Sequence, residues 1–166
     1  MVNISTATYR LISDHSFAVV RQNIANDQKA FFAQRSYSPG EVLARFTAGE
    51  VLDRPSYLTV QVGINQHIML QPEHLQYINH SCEPNVFFDT SSMQIIAVRP
   101  IREGDEMTFF YPSTEWDMAQ PFSCLCGTAS CLGEIRGAAH IEQSRLDEYR
   151  LTDFIQQQLH ARNNPH

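Results

Sequence analysis

The chain has no apolar run near the roughly 18 residues of a membrane-spanning helix. Its longest apolar stretches, such as Gln94–Val98, are strand-sized. Charge is also scarce. Asp, Glu, Lys and Arg make up 18% of the 166 residues, against a usual ~25%. That excludes a coiled coil or a charge-rich tail, while the 43% apolar content excludes a disordered chain. A basic excess is missing as well: 12 basic residues face 18 acidic ones, a net charge of −6. Direct nucleic-acid binding is not expected on that balance, and a cationic partner suits it better. Residues 1–6 (Met-Val-Asn-Ile-Ser-Thr) lack a basic start followed by an apolar block. No secretory signal or membrane association is therefore expected. The expected address is intracellular, the nucleus for a eukaryotic source and the cytoplasm for a bacterial one. What is present is enough apolar sequence for one domain that buries roughly two-thirds of its unfolded surface.

Cysteine is sparse but clustered. Cys124, Cys126 and Cys131 form C-x-C-x4-C, and Cys82 lies about forty residues upstream. In a reducing compartment disulfides are disfavoured, and a bridge between Cys124 and Cys126 would be strained. Three thiols so close, with Gly127 to turn the backbone, suit a tetrahedral metal. Closed structural sites use four ligands, so Cys82 completes a Zn²⁺ site with the triplet. The competing reading is three unrelated free thiols plus a buried one.

The rest of the chain reads mostly as short strands. Residues 1–25 carry scattered apolar positions (Ile4, Tyr9, Leu11, Ile12, Phe17, Val19, Val20) and read as one or two strands. Residues 29–47 read strand, turn, strand, with the turn at Ser38-Pro39-Gly40-Glu41 and a second strand over Val42–Thr47. Tyr57–Val62 and His67–Leu70 flank another turn. Val86–Phe88 and Gln94–Val98 flank a hairpin turn at 89–92. Glu103-Gly104-Asp105 leads into a strand over Met107–Tyr111, echoing the turn and strand at 39–46. From Ala138 to Arg162 there is no Gly or Pro, and Leu146, Tyr149, Phe154, Ile155 and Leu159 recur at near-helical spacing. One or two helices are expected there, ending before Asn163.

Polar side chains crowd Cys82 in Tyr77-Ile-Asn79-His80-Ser81-Cys82-Glu83-Pro84-Asn85. Glu106-Met-Thr-Phe-Phe-Tyr111 is followed within about twenty residues by the cysteine triplet. Singly, His80 reads as a core histidine in an Asx-type turn and Tyr111 as an ordinary strand aromatic. Together the segments resemble the SET-domain family of protein-lysine methyltransferases with a zinc-binding post-SET segment. Asn79-His80-Ser81-Cys82-x-Pro84-Asn85 matches the family's N-H-S-C-x-P-N motif. Glu106–Tyr111 is similar to E-L-T-F-D-Y, and the triplet to the post-SET C-x-C-x4-C. The resemblance is clearest over residues 77–137, weaker over 28–76, and does not reach 138–166.

The resemblance implies a mostly β (α+β) fold, of SET type, with several small curved sheets, a C-terminal zinc knot and C-terminal helices. It divides the chain into a SET domain (1–121), a post-SET zinc segment (122–137) and a helical extension (138–166). It implies Zn²⁺ on Cys82, Cys124, Cys126 and Cys131, and S-adenosylmethionine held by Asn79 and His80. Phe122, Leu125 and Leu132 would cover the adenine, with plain packing around the zinc as the alternative for each. The implied reaction is direct, in-line transfer of a methyl group to the neutral amine of a substrate lysine in a protein or peptide such as a histone tail. Tyr111 would orient the amine. Phe109, two residues earlier on the same strand face, would line the lysine channel, and its type goes with di- or trimethylation in the family.

Three positions depart from the family. Phe110 stands where Asp is usual. The early glycine-rich cofactor turn has only Lys29-Ala30-Phe31-Phe32-Ala33 as its counterpart, without either glycine, with Phe31 the candidate cofactor contact there. Trp116 has no assigned role and reads as core or as a lip of the substrate site. A cofactor-binding module without turnover, and a small structural zinc protein, are the competing functions.

Overall fold

Alternating apolar positions in runs of four to six residues, punctuated by Gly, Pro, Asn and Asp, favour short half-buried strands over helices. The computed structural model, which describes residues 8–165, shows them. Ile4, assigned above to an N-terminal strand region, lies outside the described residues. β1 (Tyr9–Asp14), β2 (Ala18–Asn23) and β3 (Lys29–Ala33) form an antiparallel meander. β4 (Val42–Arg45), β5 (Thr47–Leu52), β6 (Thr59–Gly63) and β7 (Gln66–Gln71) follow, then the two-residue β8 (Asn79–His80). β9 (Val86–Asp89) and β10 (Gln94–Ala97) make the expected hairpin. β11 (Glu106–Phe109), β12 (Phe122–Ser123) and β13 (Glu134–Ile135) complete the strands. Helices α1 (Gln143–Leu146) and α2 (Asp153–Asn163) close the chain.

These strands build four small sheets, ordered β1-β2-β3-β11-β8, β4-β10-β9, β5-β7-β6 and β12-β13. The largest core cluster lies between the first three and is filled by Phe31, Phe46, Phe88, Ile95 and Met107. Strand alternation explains β3: Phe31 enters this core, while Phe32 faces the other way with Val19 and Ala30.

Two expectations are corrected. The strand expected over Val42–Thr47 breaks at Phe46, whose buried ring packs on Phe88, and Thr47 begins β5 in a different sheet. The strand expected to run to Tyr111 ends at Phe109, because Pro112 removes a ladder donor and Tyr111–Ser113 coil into a 3-10 turn. The echo between the two turns is physical. Gly40 and Gly104 take φ of +90° and +89°. In each turn the carboxylate one position after the glycine accepts from a backbone N–H three residues before itself: Glu41 from Ser38 (2.7 Å) and Asp105 from Arg102 (2.9 Å).

The C-terminal extension packs on the domain. Thr152 caps α2, its Oγ1 accepting from Ile155 N–H, and the helix buries Phe154, Ile155 and Leu159. These residues close over Phe110 and Leu146 in a second apolar cluster. Phe110 explains its departure from the family motif, because its ring stacks on Tyr149 at 3.7 Å with an 8° interplanar angle. An Asp there would place a charge at a position that is fully buried and forfeit the stack. Trp116 also joins this cluster, with the Arg162 guanidinium over its ring at 5.9 Å, so it is part of the packing. Phe110→Ala should lower stability by about 3–5 kcal/mol, read as a lower urea midpoint. An unchanged midpoint would mean that the helices do not depend on this contact.

Candidate functional site

β8 is two residues long, yet it fixes the site. It pairs in parallel with β11, placing Asn79 opposite Thr108 and His80 opposite Phe109. The chain after β8 stays in register, with Ser81 N–H donating to the Phe109 carbonyl (3.1 Å) and Asn85 N–H to that of Thr108 (3.1 Å). The Asn85 side chain grips the same strand from both sides: Oδ1 accepts from Thr108 N–H (2.9 Å) and Nδ2 donates to the Glu106 carbonyl (2.8 Å). An amide offers both functions at once. Asn79 Nδ2 donates to the Lys29 carbonyl (2.8 Å), tying the start of β3 to the same place.

His80 joins the turn to the cysteines. Its Nδ1 accepts from Tyr111 N–H (3.1 Å), which assigns the ring proton to Nε2. Nε2 lies 3.4 Å from Cys82 Sγ, and Leu132 N–H donates to the same sulfur (3.4 Å). Burial lowers the His80 pKa to about 4, so the imidazole is neutral at physiological pH. The four cysteine sulfurs all lie within 4.8 Å of one another, and Cys82 Sγ is 3.9 Å from Cys124 Sγ. A tetrahedral zinc with ligands at about 2.3 Å needs sulfur–sulfur edges of about 3.8 Å. The donors fit that ion. Burial pushes the Cys82 thiol up, so ionising it beside three other sulfurs calls for a compensating dication. Tyr149 O–H donates to the Cys82 carbonyl (2.7 Å), so the helical extension braces the knot from behind.

Two cavities meet here. A polar groove of about 850 Å³ is lined by Lys29, Asn79, His80, Glu106 and Leu125, among others. A mostly apolar cavity of about 370 Å³ is lined by Val60, Leu70, Leu75, Ile78 and Phe109, together with the carboxyl-bearing Glu115. Tyr111 and Phe122 line both. Their ring centroids are 5.9 Å apart, and Phe109 lies 4.7 Å from Tyr111 on the cavity side. Burial, reinforced by the carboxylates of Glu106 and Glu115, pushes the Tyr111 phenol up to about 12. It therefore remains an O–H donor at any physiological pH.

The expected site residues separate cleanly. Asn79, His80, Phe122 and Leu125 line the groove, and Leu125 is 94% exposed at its rim. Phe31 and Leu132 do not. Phe31 is fully buried against Phe17 and His74, because β3 alternation turns it into the core. The groove edge expected from it comes instead from the preceding residues Asp27, Gln28 and Lys29. Asp27 takes φ of +59°, a left-handed conformation that aspartate tolerates. Leu132 contributes its backbone N–H to Cys82, while its side chain packs in the second apolar cluster. Glu115 was missed. It lies 7% exposed in the wall of the apolar cavity, its Oε1 accepting from Gln61 N–H (3.0 Å) and Thr114 Oγ1 (3.1 Å). Its only sequence signal is a lone acidic residue between Thr114 and Trp116.

Elemental analysis should find about one zinc per chain. Cys126→Ser or chelation should lower the melting temperature together, and metal-free protein with an unchanged melt would remove the knot from the account. Burial raises Glu115 from 4.5 to about 7. Folding therefore favours its protonated form, and stability present at low pH is lost as pH rises through about 7. Glu115→Gln cannot ionise, so its melting temperature should gain on the wild type as pH rises across that window. A pH-independent difference would show that the carboxyl is not desolvated.

The geometry has counterparts among known proteins. The family model described as "SET domain" matches residues 31–112. Methyltransferase flvH of Aspergillus flavus is 42% identical over 122 residues, covering 72% of this chain and 68% of that protein. An H3 lysine-36 specific histone-lysine N-methyltransferase of Mycosarcoma maydis is 29% identical over 160 residues, covering 81% of this chain but 16% of that protein. An H3 lysine-4 specific enzyme of Emericella nidulans is 40% identical over 65 residues, 35% of this chain and 5% of that protein. Among solved structures, KRYPTONITE in complex with mCHG DNA and SAH superposes with a TM-score of 0.51 at 21% identity, covering 64% of this chain and 26% of that one. The methyltransferase domain of human SETMAR also gives 0.51, at 14% identity, covering 79% of this chain and 58% of that one. These two show the fold alone. With the Asn-His turn, the tyrosine and the cysteine cluster in one place, and a relative matched over most of both lengths, this chain belongs to the SET-domain family of methyltransferases.

Proposed function

We propose that the protein is an S-adenosylmethionine-dependent protein-lysine N-methyltransferase acting on a peptide segment such as a histone tail. One observation carries the reading: a polar groove and an apolar cavity share Tyr111 and Phe122 as a common wall. A donor on one side and an acceptor on the other would meet at the phenol. The groove fits a nucleoside-bearing cofactor, with polar side chains at Asn79 and Glu106 and an aromatic side at Phe122. When bound, that cofactor supplies an electrophilic methyl group on a sulfonium.

The chain's own residues then have definite tasks. Asn79 and His80 hold the cofactor, with Asn79 oriented by its bond to the Lys29 carbonyl. Phe109, Tyr111 and Phe122 exclude water from the transfer region and present aromatic faces to a methylated ammonium product. The Tyr111 hydroxyl orients the amine lone pair toward the groove, which is a matter of alignment more than of nucleophile activation. An apolar wall favours the neutral amine that attack requires. Cys82, Cys124, Cys126 and Cys131 would hold a structural zinc that fixes Phe122 and Leu125 at the groove edge. Metal binding and completion of the site would then be one event. Four thiolates suit a reducing intracellular compartment, and the net charge of −6 suits a cationic peptide better than nucleic acid.

Incubation of cell proteins with labelled cofactor, followed by mass spectrometry, should find label on lysine. Tyr111→Phe keeps the aromatic wall and removes the hydroxyl. It should cut turnover by about a hundredfold or more while S-adenosylhomocysteine still binds. Cofactor binding without incorporation into any protein would instead indicate a module without turnover.

A further inference from the structure

The apolar cavity holds one carboxyl group, which methyl transfer leaves without a task. Glu115 follows Tyr111 by four residues, and its N–H donates to the Tyr111 carbonyl (3.0 Å). Its side chain is 7% exposed and lines the cavity with Phe109, Tyr111 and Phe122. Oε1 accepts two hydrogen bonds, from Gln61 N–H and Thr114 Oγ1. Oε2 accepts none among the described residues, and no ion pair there includes Glu115. The walls around it include Val60, Leu70, Leu75 and Ile78. Burial has stripped the carboxylate of most of its water, and no cation pairs with it among the described residues.

Two roles compete for such a group. The first is bracing. Gln61 N–H donates to Glu115, and Trp116 N–H donates back to Gln61 Oε1 (3.0 Å), so the pair fastens the loop after Tyr111 to β6. Bracing needs one acceptor oxygen and no charge, so a glutamine would serve. It accounts for Oε1 and leaves the buried charge and the second oxygen without a function. The second role uses both. A desolvated anion in an apolar wall recovers its lost interaction energy when a cation sits against it.

Resting on the methyl-transfer reading, we infer that the cavity beside Tyr111 is a receptor for an organic ammonium on an apolar stem, with Glu115 Oε2 as its anionic anchor. The apolar walls take the stem, and Glu115 selects for the charged head. Glu115 thus governs capture, while Tyr111 governs orientation. A lysine side chain and a free alkylamine present the same chemistry to this pocket.

The test is titration of the whole protein, followed by NMR, at about pH 8, where an alkylamine is charged. The probes are n-butylamine and its neutral counterpart 1-butanol. Glu115→Gln retains the acceptor for Gln61 and removes only the charge. It should weaken n-butylamine by about tenfold and leave 1-butanol unchanged. Equal affinity for the amine in both proteins, or equal weakening of both probes, would reduce Glu115 to a brace and overturn the inference. A melting temperature no lower than the wild type's checks that the variant is folded. Histone H3 tail peptide, and the same peptide with norleucine for lysine, separates the sources. A lysine-dependent signal lost in Glu115→Gln assigns the pocket to protein lysine. Amine binding without peptide binding assigns it to a free amine. Calorimetry with S-adenosylhomocysteine tests the methyl-transfer reading independently: no binding there would sink that reading, while the amine titration would still decide Glu115.

Discussion

The parallel pairing of two residues, Asn79-His80, with the end of β11 is the constraint on which the site depends. Parallel pairs are slightly weaker per residue than antiparallel ones, and this one is too short to hold by its ladder alone. It is held by side chains instead. Asn85 supplies a donor and an acceptor to the flanking backbone, and His80 Nδ1 takes the N–H of Tyr111 just beyond the strand. Because Pro112 turns the chain at that point, the phenol is delivered beside the imidazole, with ring centroids 5.2 Å apart. Loosening this short pairing would separate the two cavities' common wall from the groove it closes.

The same histidine connects the turn to the cysteine cluster. With Nδ1 committed to Tyr111, Nε2–H faces Cys82, and the Leu132 N–H reaches the same sulfur. Hydrogen bonds of this kind orient thiolate ligands and tune them toward a metal. The C-terminal helices add a third hold, through Tyr149 on the Cys82 carbonyl and through the stack of Tyr149 on Phe110. The Phe at position 110 and the helical extension therefore form one adaptation: an apolar ring at the end of β11 gives the extension something to bury, and the extension returns a hydrogen bond to the knot.

Glu115 shows a different balance. A buried carboxyl raised to about 7 weakens the fold at physiological pH. Most of the surrounding structure follows local rules: alternation in the strands, glycines in the turns, a threonine cap on α2. Departures from such rules concentrate at functional sites, and this one lines the same cavity as the phenol.

Local pattern was enough to read strands within 1–25 and 29–47, a strand over 57–62, the hairpin that flanks 89–92, the Pro-Gly and Gly-Asp turns, and helix within 138–162. Motif spacing brought Asn79, His80, Tyr111 and the four cysteines forward together, because chemistry-bearing residue types crowd there within short segments. What stayed hidden depends on contacts between distant segments. Phe31 sits in a run that is apolar on both faces, so sequence could not say which ring enters the core, and pairing with Met107 decided it. Leu132 acts through its backbone, which carries no residue signature. Asp27 adopts a left-handed conformation that identity alone does not announce. Glu115 looks like any surface acid until β6 and the loop after Tyr111 close over it. The sequence by itself determined the element types and the inventory of reactive groups, since both follow from local chemistry. Only the tertiary structure decided which of those groups face one another across a shared wall, since that follows from long-range packing.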